Sequence, residues 1–100
     1  MGDSMTTVAT HVRRLADLEG FDVVVKDMAG EPIDVKSNGV LVSYGYEKMM
    51  KHSATVADWR RVRFLARNAG YKCDVLLGDG QVAKGNMLLS TVRESYEDDE

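Results

Sequence analysis

The sequence contains a single cysteine, a single proline and no long apolar run. Cys73 has no partner for an internal disulfide, which argues against a disulfide-rich secreted protein and favours a reducing, cytoplasmic location. No apolar stretch approaches the roughly 18 residues of a membrane-spanning helix, so we expect no membrane association. The composition is otherwise that of one globular domain, with 44% hydrophobic and 29% charged residues among 100.

Signatures of catalysis and metal binding are also missing. His11 and His52 have no second histidine or cysteine at metal-ligand spacing. The stretch GDGQVAKG (78–85) lacks the spacing of a phosphate-binding loop, and no pair of carboxylates indicates acid–base chemistry. We therefore expect no metal, no cofactor and no enzymatic activity, and we interpret Cys73 as a small core residue rather than a nucleophile.

Charge is distributed unevenly along the chain. The net charge is −3, but the acidic tail at 94–100 carries five acidic residues, so the remaining body is +2 (−3 plus 5). A helix is predicted at 55–69, where Thr55 and Asp58 have the spacing of an N-cap. This helix is rich in arginines, namely Arg60, Arg61, Arg63 and Arg67.

The two halves of the sequence resemble each other at a shift of fifty residues. Between Val12 and Glu47, ten positions carry the same residue fifty positions later. Only roughly two or three identities are expected by chance from typical composition. The identical pairs are Val12/Val62, Arg13/Arg63, Leu15/Leu65, Ala16/Ala66, Gly20/Gly70, Val25/Val75, Gly30/Gly80, Val42/Val92, Tyr46/Tyr96 and Glu47/Glu97. This similarity predicts an internal repeat with units at 5–47 and 55–97 and a linker at 48–54.

Each unit is predicted to contain one helix followed by three strands. Apolar residues at helical spacing come first, and Gly20 or Gly70 ends the helix. A strand of alternating apolar residues follows each glycine, a middle strand begins near Pro32 in the first unit, and final strands are expected at 39–47 and 87–97. The expected fold class is α+β, a single domain of two tandem αβββ units about a pseudo-twofold axis, with helices packed on an antiparallel sheet.

The second helix carries the most suggestive surface. Helical spacing places Phe64 on an outward face with Arg60 and Arg67, on the side opposite to Val62 and Ala69. An apolar aromatic side chain among arginines is typical of a hot spot for a protein partner. It is equally typical of a patch that stacks on bases and contacts phosphates.

We therefore predict a small non-enzymatic interaction or regulatory protein, of the accessory or inhibitor type made by bacteria and phages, that binds a protein partner through this helix. Nucleic-acid binding through the same arginines is the alternative. A third possibility is that Phe64 packs against the other unit and the arginines are only solvated. The predicted contact residues are Trp59, Arg60, Arg61, Phe64 and Arg67.

Overall fold

The computed structural model of the chain describes residues 6–37, 40–41, 44–68 and 70–97. Met5 of the predicted first unit and residues 98–100 of the predicted tail lie outside these ranges. The elements in chain order are α1 (Val8–Glu19), β1 (Val23–Asp27), α2 (Val56–Trp59), a π-helical segment (Arg60–Leu65), β2 (Tyr71–Val75) and α3 (Leu89–Glu94).

Strands β1 and β2 form a two-stranded antiparallel sheet. Val23 lies opposite Val75 and Asp27 lies opposite Tyr71. Alternate side chains point to opposite faces of a strand, so one face of this sheet enters the core. The buried side chains on that face are Val23, Val25, Cys73 and Val75. The first strand predicted for each unit is thus present, and together the two strands make the sheet.

The predicted middle strand is reduced to a single bridge on the outer edge of β1. Lys26 pairs with Pro32, and the Ile33 N–H donates to the Val25 carbonyl at 3.1 Å. Proline has no N–H to continue the ladder, and the chain turns at once, with the Ser37 N–H donating to the Asp34 carbonyl at 3.0 Å. An equivalent bridge joins the outer edge of β2 to residues near Val82.

The prediction of a final strand at 87–97 is wrong, because α3 occupies this stretch. Leu89 and Val92 are completely buried and Tyr96 is half-buried, a spacing of three and four residues that suits a helix rather than a strand. In the part of 39–47 that the structure describes, no strand is formed either. The described chain is therefore an α+β protein with a two-stranded sheet, and αβββ units are not formed.

Trp59 lies at the centre of the core. Its side chain is fully buried and meets Phe21 edge-to-face, with ring centroids 5.0 Å apart and an interplanar angle of 85°. The Phe64 ring lies on another side, at 6.4 Å. Buried indole groups need a hydrogen-bond acceptor, and the Trp59 Nε1–H donates to the Tyr44 hydroxyl at 3.0 Å. The second helix is thereby fixed against Phe21, which lies between α1 and β1, and against Tyr44.

The two glycines predicted to end the helices both have left-handed backbone geometry. Gly20 follows α1 with a φ of +87°, and its N–H donates to the Ala16 carbonyl at 2.8 Å. This confirms the predicted end of the first helix. Gly70 has a φ of +94°, but the π-helical segment has already ended at Leu65, so the prediction that Gly70 stops the second helix is wrong.

Candidate functional site

The second helix begins with a capping box, as its sequence predicts. The Asp58 N–H donates to the Thr55 hydroxyl at 3.2 Å, and the Thr55 N–H donates back to the Asp58 carboxylate at 3.2 Å. The pKa of Asp58 is lowered mainly by the hydrogen bond from the Thr55 backbone, and to a smaller extent by its hydrogen bond with the Thr55 side chain. The reciprocal bonds satisfy two N–H groups that a helix start leaves open, so the orientation of the helix is well defined.

After one α-helical turn the backbone widens into the π-helical segment, and this changes which residues face the core. Five residues make about 1.4 turns of an α-helix, which would place Trp59 and Phe64 on clearly different sides. The wider turn of a π-helix, bonded from i to i+5, brings residues five apart onto the same side. Both side chains are consequently buried, at 0% and 1% exposure.

The predicted outward aromatic face is therefore incorrect. Phe64 belongs to the core with Trp59 and lies beside Val12 and Leu15 of the first half, as in the alternative that it packs against the other unit. The outward prediction fails because the π-helical segment does not follow the α-helical period. Val62 and Leu65, expected to be buried, are 46% and 41% exposed. Ala69, expected on the same buried side, lies outside the described residues.

The four arginines of this helix have different environments. Arg61 is exposed and lies 3.3 Å from the Asp58 carboxylate. Arg60 is half-buried and its guanidinium lies over the turn at Gly85. Arg67 is exposed and stacks over the Tyr46 ring, with its guanidinium carbon 5.1 Å from the ring centroid. The structure thus keeps Arg60 and Arg61 beside Val62 and Leu65.

Arg63 turns inward and joins a buried charge cluster centred on Glu19. The fully buried Glu19 carboxylate accepts from Arg63 Nη1 at 2.6 Å, from Arg93 Nη2 at 3.0 Å and from the Met50 N–H at 3.0 Å. It also accepts from the Tyr44 hydroxyl, whose pKa is raised well above its usual value by burial and then by Glu19. Every partner of this carboxylate is a donor, as a buried charge requires.

Sequence reasoning missed the role of Glu19, although a signal was present. Glu19 lies four residues after the buried Leu15, on the apolar side of α1 where an unpaired charge is costly. A charge at such a position indicates a buried cationic partner. The cluster ties α1, the π-helical segment and α3 together, and we interpret it as structural.

Cys73 is buried at 3% exposure, and burial raises the pKa of its thiol to about 12. Because the thiolate is the nucleophile, we expect the folded protein at pH 8 to react with a disulfide reagent at least about 100-fold more slowly than the protein in concentrated urea. Spectrophotometric thiol titration measures both rates. A control carrying Cys73→Ala and Val82→Cys, with its thiol at an exposed position, should react rapidly when folded. Equal rates for native and unfolded wild type would contradict this expectation.

The surface available for binding is smaller than predicted and has a different composition. It consists of Arg60, Arg61, Val62 and Leu65, and we name these four residues the second-helix surface. Two large apolar side chains lie beside two arginines on a helix that is capped and packed through Trp59 and Phe64. Such a surface offers apolar area for contact and positive charge for orientation.

Within the described ranges, no group of three or more histidine, cysteine, aspartate or glutamate side chains is arranged to hold a metal ion. None of the helices that the structure describes has the length and apolar character required to cross a bilayer. No protein-family model matches the chain, and comparisons with curated proteins and with solved structures return no match either.

Proposed function

We propose that the protein is a small, non-enzymatic interaction protein of the cytoplasm that regulates a protein partner by binding it through the second-helix surface. The single observation that supports this function is the exposure of Val62 and Leu65 next to Arg60 and Arg61. Interface hot spots combine apolar contact area with arginine, surrounded by polar residues. The buried side of the same helix holds it rigidly, which lowers the entropic cost of binding.

A protein partner suits this surface better than a nucleic acid does. Nonspecific stacking on bases needs exposed aromatic rings, whereas Trp59 and Phe64 are both in the core. Phosphate binding needs several free cations, whereas Arg63 is committed to Glu19 and the whole chain is negative at −3. The second-helix surface retains two arginines, which suffice to orient a protein partner.

We further propose that the chain arose by duplication and that its halves are related by a pseudo-twofold axis. The hydrogen bond from Ile33 to Val25 recurs fifty residues later, from Ala83 to Val75. Val24 pairs with its own counterpart in the repeat, Asp74, at the middle of the sheet, as an axis through this point requires. The π-helical segment then makes the second half differ from the first, so that only one half carries the second-helix surface.

A variant with Val62→Glu and Leu65→Glu tests the proposed function. Each glutamate places a charge in a contact that is desolvated on binding, so recovery of the partner with the tagged protein from its source cells should fall by roughly 10- to 100-fold. Quantitative mass spectrometry of the captured proteins measures the loss. Val82→Glu is the matched control, because Val82 is 54% exposed and lies on another part of the surface.

Circular dichroism should show the same folded spectrum for all three proteins. The proposed function is rejected if the double variant and the wild type capture the same proteins in the same amounts. Capture that nuclease treatment abolishes would reject it in favour of a nucleic-acid partner.

A further inference from the structure

An apolar groove of about 440 Å³ lies between α1 and the outer edge of β1. The helix contributes Val8, Ala9 and Val12, the strand contributes Val24, and the bridge segment contributes Ile33 and Val35. Val35 remains 54% exposed on its wall. A concave apolar surface of this size is typical of a site that receives side chains from another molecule. We name it the α1–β1 groove.

The rim of the α1–β1 groove is negatively charged overall. Asp17 and Asp22 lie on the rim with Arg13 as the single cation. The ion pairs formed within the described part of the chain include neither of these aspartates. Carboxylates at the edge of an apolar cleft favour a binding partner that presents apolar side chains next to a cation.

The corresponding groove of the second half is smaller and more polar. It lies between the π-helical segment and β2 and measures about 260 Å³. Its lining residues are Arg60, Leu65, Lys72, Cys73 and Asp74. Counting from the N-caps Thr7 and Thr55, Arg60 stands where the first half has Val12. Arg60 therefore lines the second groove, whereas Val12 at the equivalent position leaves the first groove open and apolar.

The protein itself carries a surface with the matching properties. In the second-helix surface, Val62 and Leu65 are 46% and 41% exposed, and Arg61 is adjacent to Val62. The two apolar side chains suit the groove, and the arginine has the charge opposite to that of the rim. Groove and helix thus form a complementary pair on opposite halves of the same chain.

We propose that the α1–β1 groove binds the second-helix surface of a second copy of this chain, with Val62 and Leu65 inserted and Arg61 facing Asp17 and Asp22. The proposal rests on the proposed function, since it names a partner for that surface. Because the two contacting surfaces differ, the interface is heterologous, and a pair of copies retains one open groove on one copy and one open helix surface on the other. Further copies then add to these open surfaces as the protein concentration rises, or the assembly closes into a ring.

Two single variants test this arrangement by complementation. Ala9→Glu puts a charge into the groove at an exposed helix position, and Val62→Glu puts one on the helix surface. By sedimentation velocity at roughly 0.5 mM protein, where even a Kd near 1 mM gives measurable association, the average mass of the wild type should exceed that of a monomer. Each variant alone should be monomeric.

An equimolar mixture of the two variants should form a one-to-one dimer and nothing larger. The first variant still provides an intact helix surface and the second an intact groove, so one productive contact remains. Val82→Glu should associate as the wild type does, and 1 M salt should weaken association by screening the contribution of Arg61.

The proposal is overturned if the wild type is monomeric at this concentration, or if it associates while the mixture stays monomeric. The proposed function is judged separately. A monomeric wild type whose capture of a host protein still depends on Val62 and Leu65 would reject the groove contact alone. Self-association with the predicted complementation, together with unchanged capture of host proteins by the double variant, would reject only the external partner.

Discussion

Replacing Glu19 with alanine is expected to destabilise the protein by roughly 3–5 kcal/mol, a large part of the total stability of a domain of this size. The carboxylate is completely buried and is the common acceptor for Arg63 and Arg93. Without it two guanidinium groups lose their counter-charge inside the protein. The hydroxyl of Tyr44 and the N–H of Met50 lose their acceptor as well.

Urea denaturation followed by circular dichroism measures this effect, and the midpoint should fall by roughly 2 M. Glu94→Ala is the matched control, since Glu94 is exposed on α3 and its loss should change the free energy of unfolding by less than about 0.5 kcal/mol. Combining Glu19→Ala with Arg63→Met and Arg93→Met should recover part of the loss, because an apolar replacement leaves no unpaired charge. Equal midpoints for Glu19→Ala and Glu94→Ala would exclude a stabilising role for the cluster.

Phe64→Ala is expected to cost roughly 3–5 kcal/mol, whereas Leu65→Ala should cost less than about 1 kcal/mol. Phe64 is 1% exposed and its ring lies 6.4 Å from that of Trp59, so its removal leaves a cavity in the centre of the core. Leu65 is 41% exposed, and its truncation removes mostly solvated surface. The same denaturation experiment measures both variants.

These two neighbouring positions distinguish the π-helical segment from a continuous α-helix. An α-helical period carried through from Trp59 turns Phe64 outward and Leu65 inward, which is what the sequence pattern alone indicates. A costly Leu65→Ala with a harmless Phe64→Ala would therefore rule out the π-helical phase. A larger loss of unfolding free energy for Phe64→Ala than for Leu65→Ala would support the π-helical phase.

Local sequence signals correctly predicted a helix start, a helix end and two strands. The capping pair Thr55 and Asp58, the left-handed Gly20 and the two strands with alternating apolar residues are all present. Each of these features depends on a few residues that are neighbours in the sequence, so hydrogen bonds and backbone preferences within that short stretch determine it. The α+β class follows from these signals.

The predictions failed where distant contacts decide the structure. The sequence pattern at 87–97 predicts a strand, yet Leu89 and Val92 are buried in the core from a helix. The π-helical segment shifted the candidate site from an aromatic face to Val62 and Leu65. The ten identities at a spacing of fifty residues gave no sign of this change in the candidate site. Leu15 and Leu65, for example, are the same residue type but differ in burial, at 4% and 41% exposure. Identity in the sequence did not ensure equivalence in space.

The contact between Glu19 and Arg93 also constrains the order in which the protein folds. The two residues are 74 positions apart, and Arg93 Nε additionally donates to the Glu19 carbonyl at 2.6 Å. During synthesis, α1 leaves the ribosome with a carboxylate that cannot be buried until α3 has followed. Closing so long a loop costs entropy before any contact compensates it, so we expect folding to be late and cooperative. Nascent chains that end before Arg93 should remain sensitive to protease, and extension past Tyr96 should protect them.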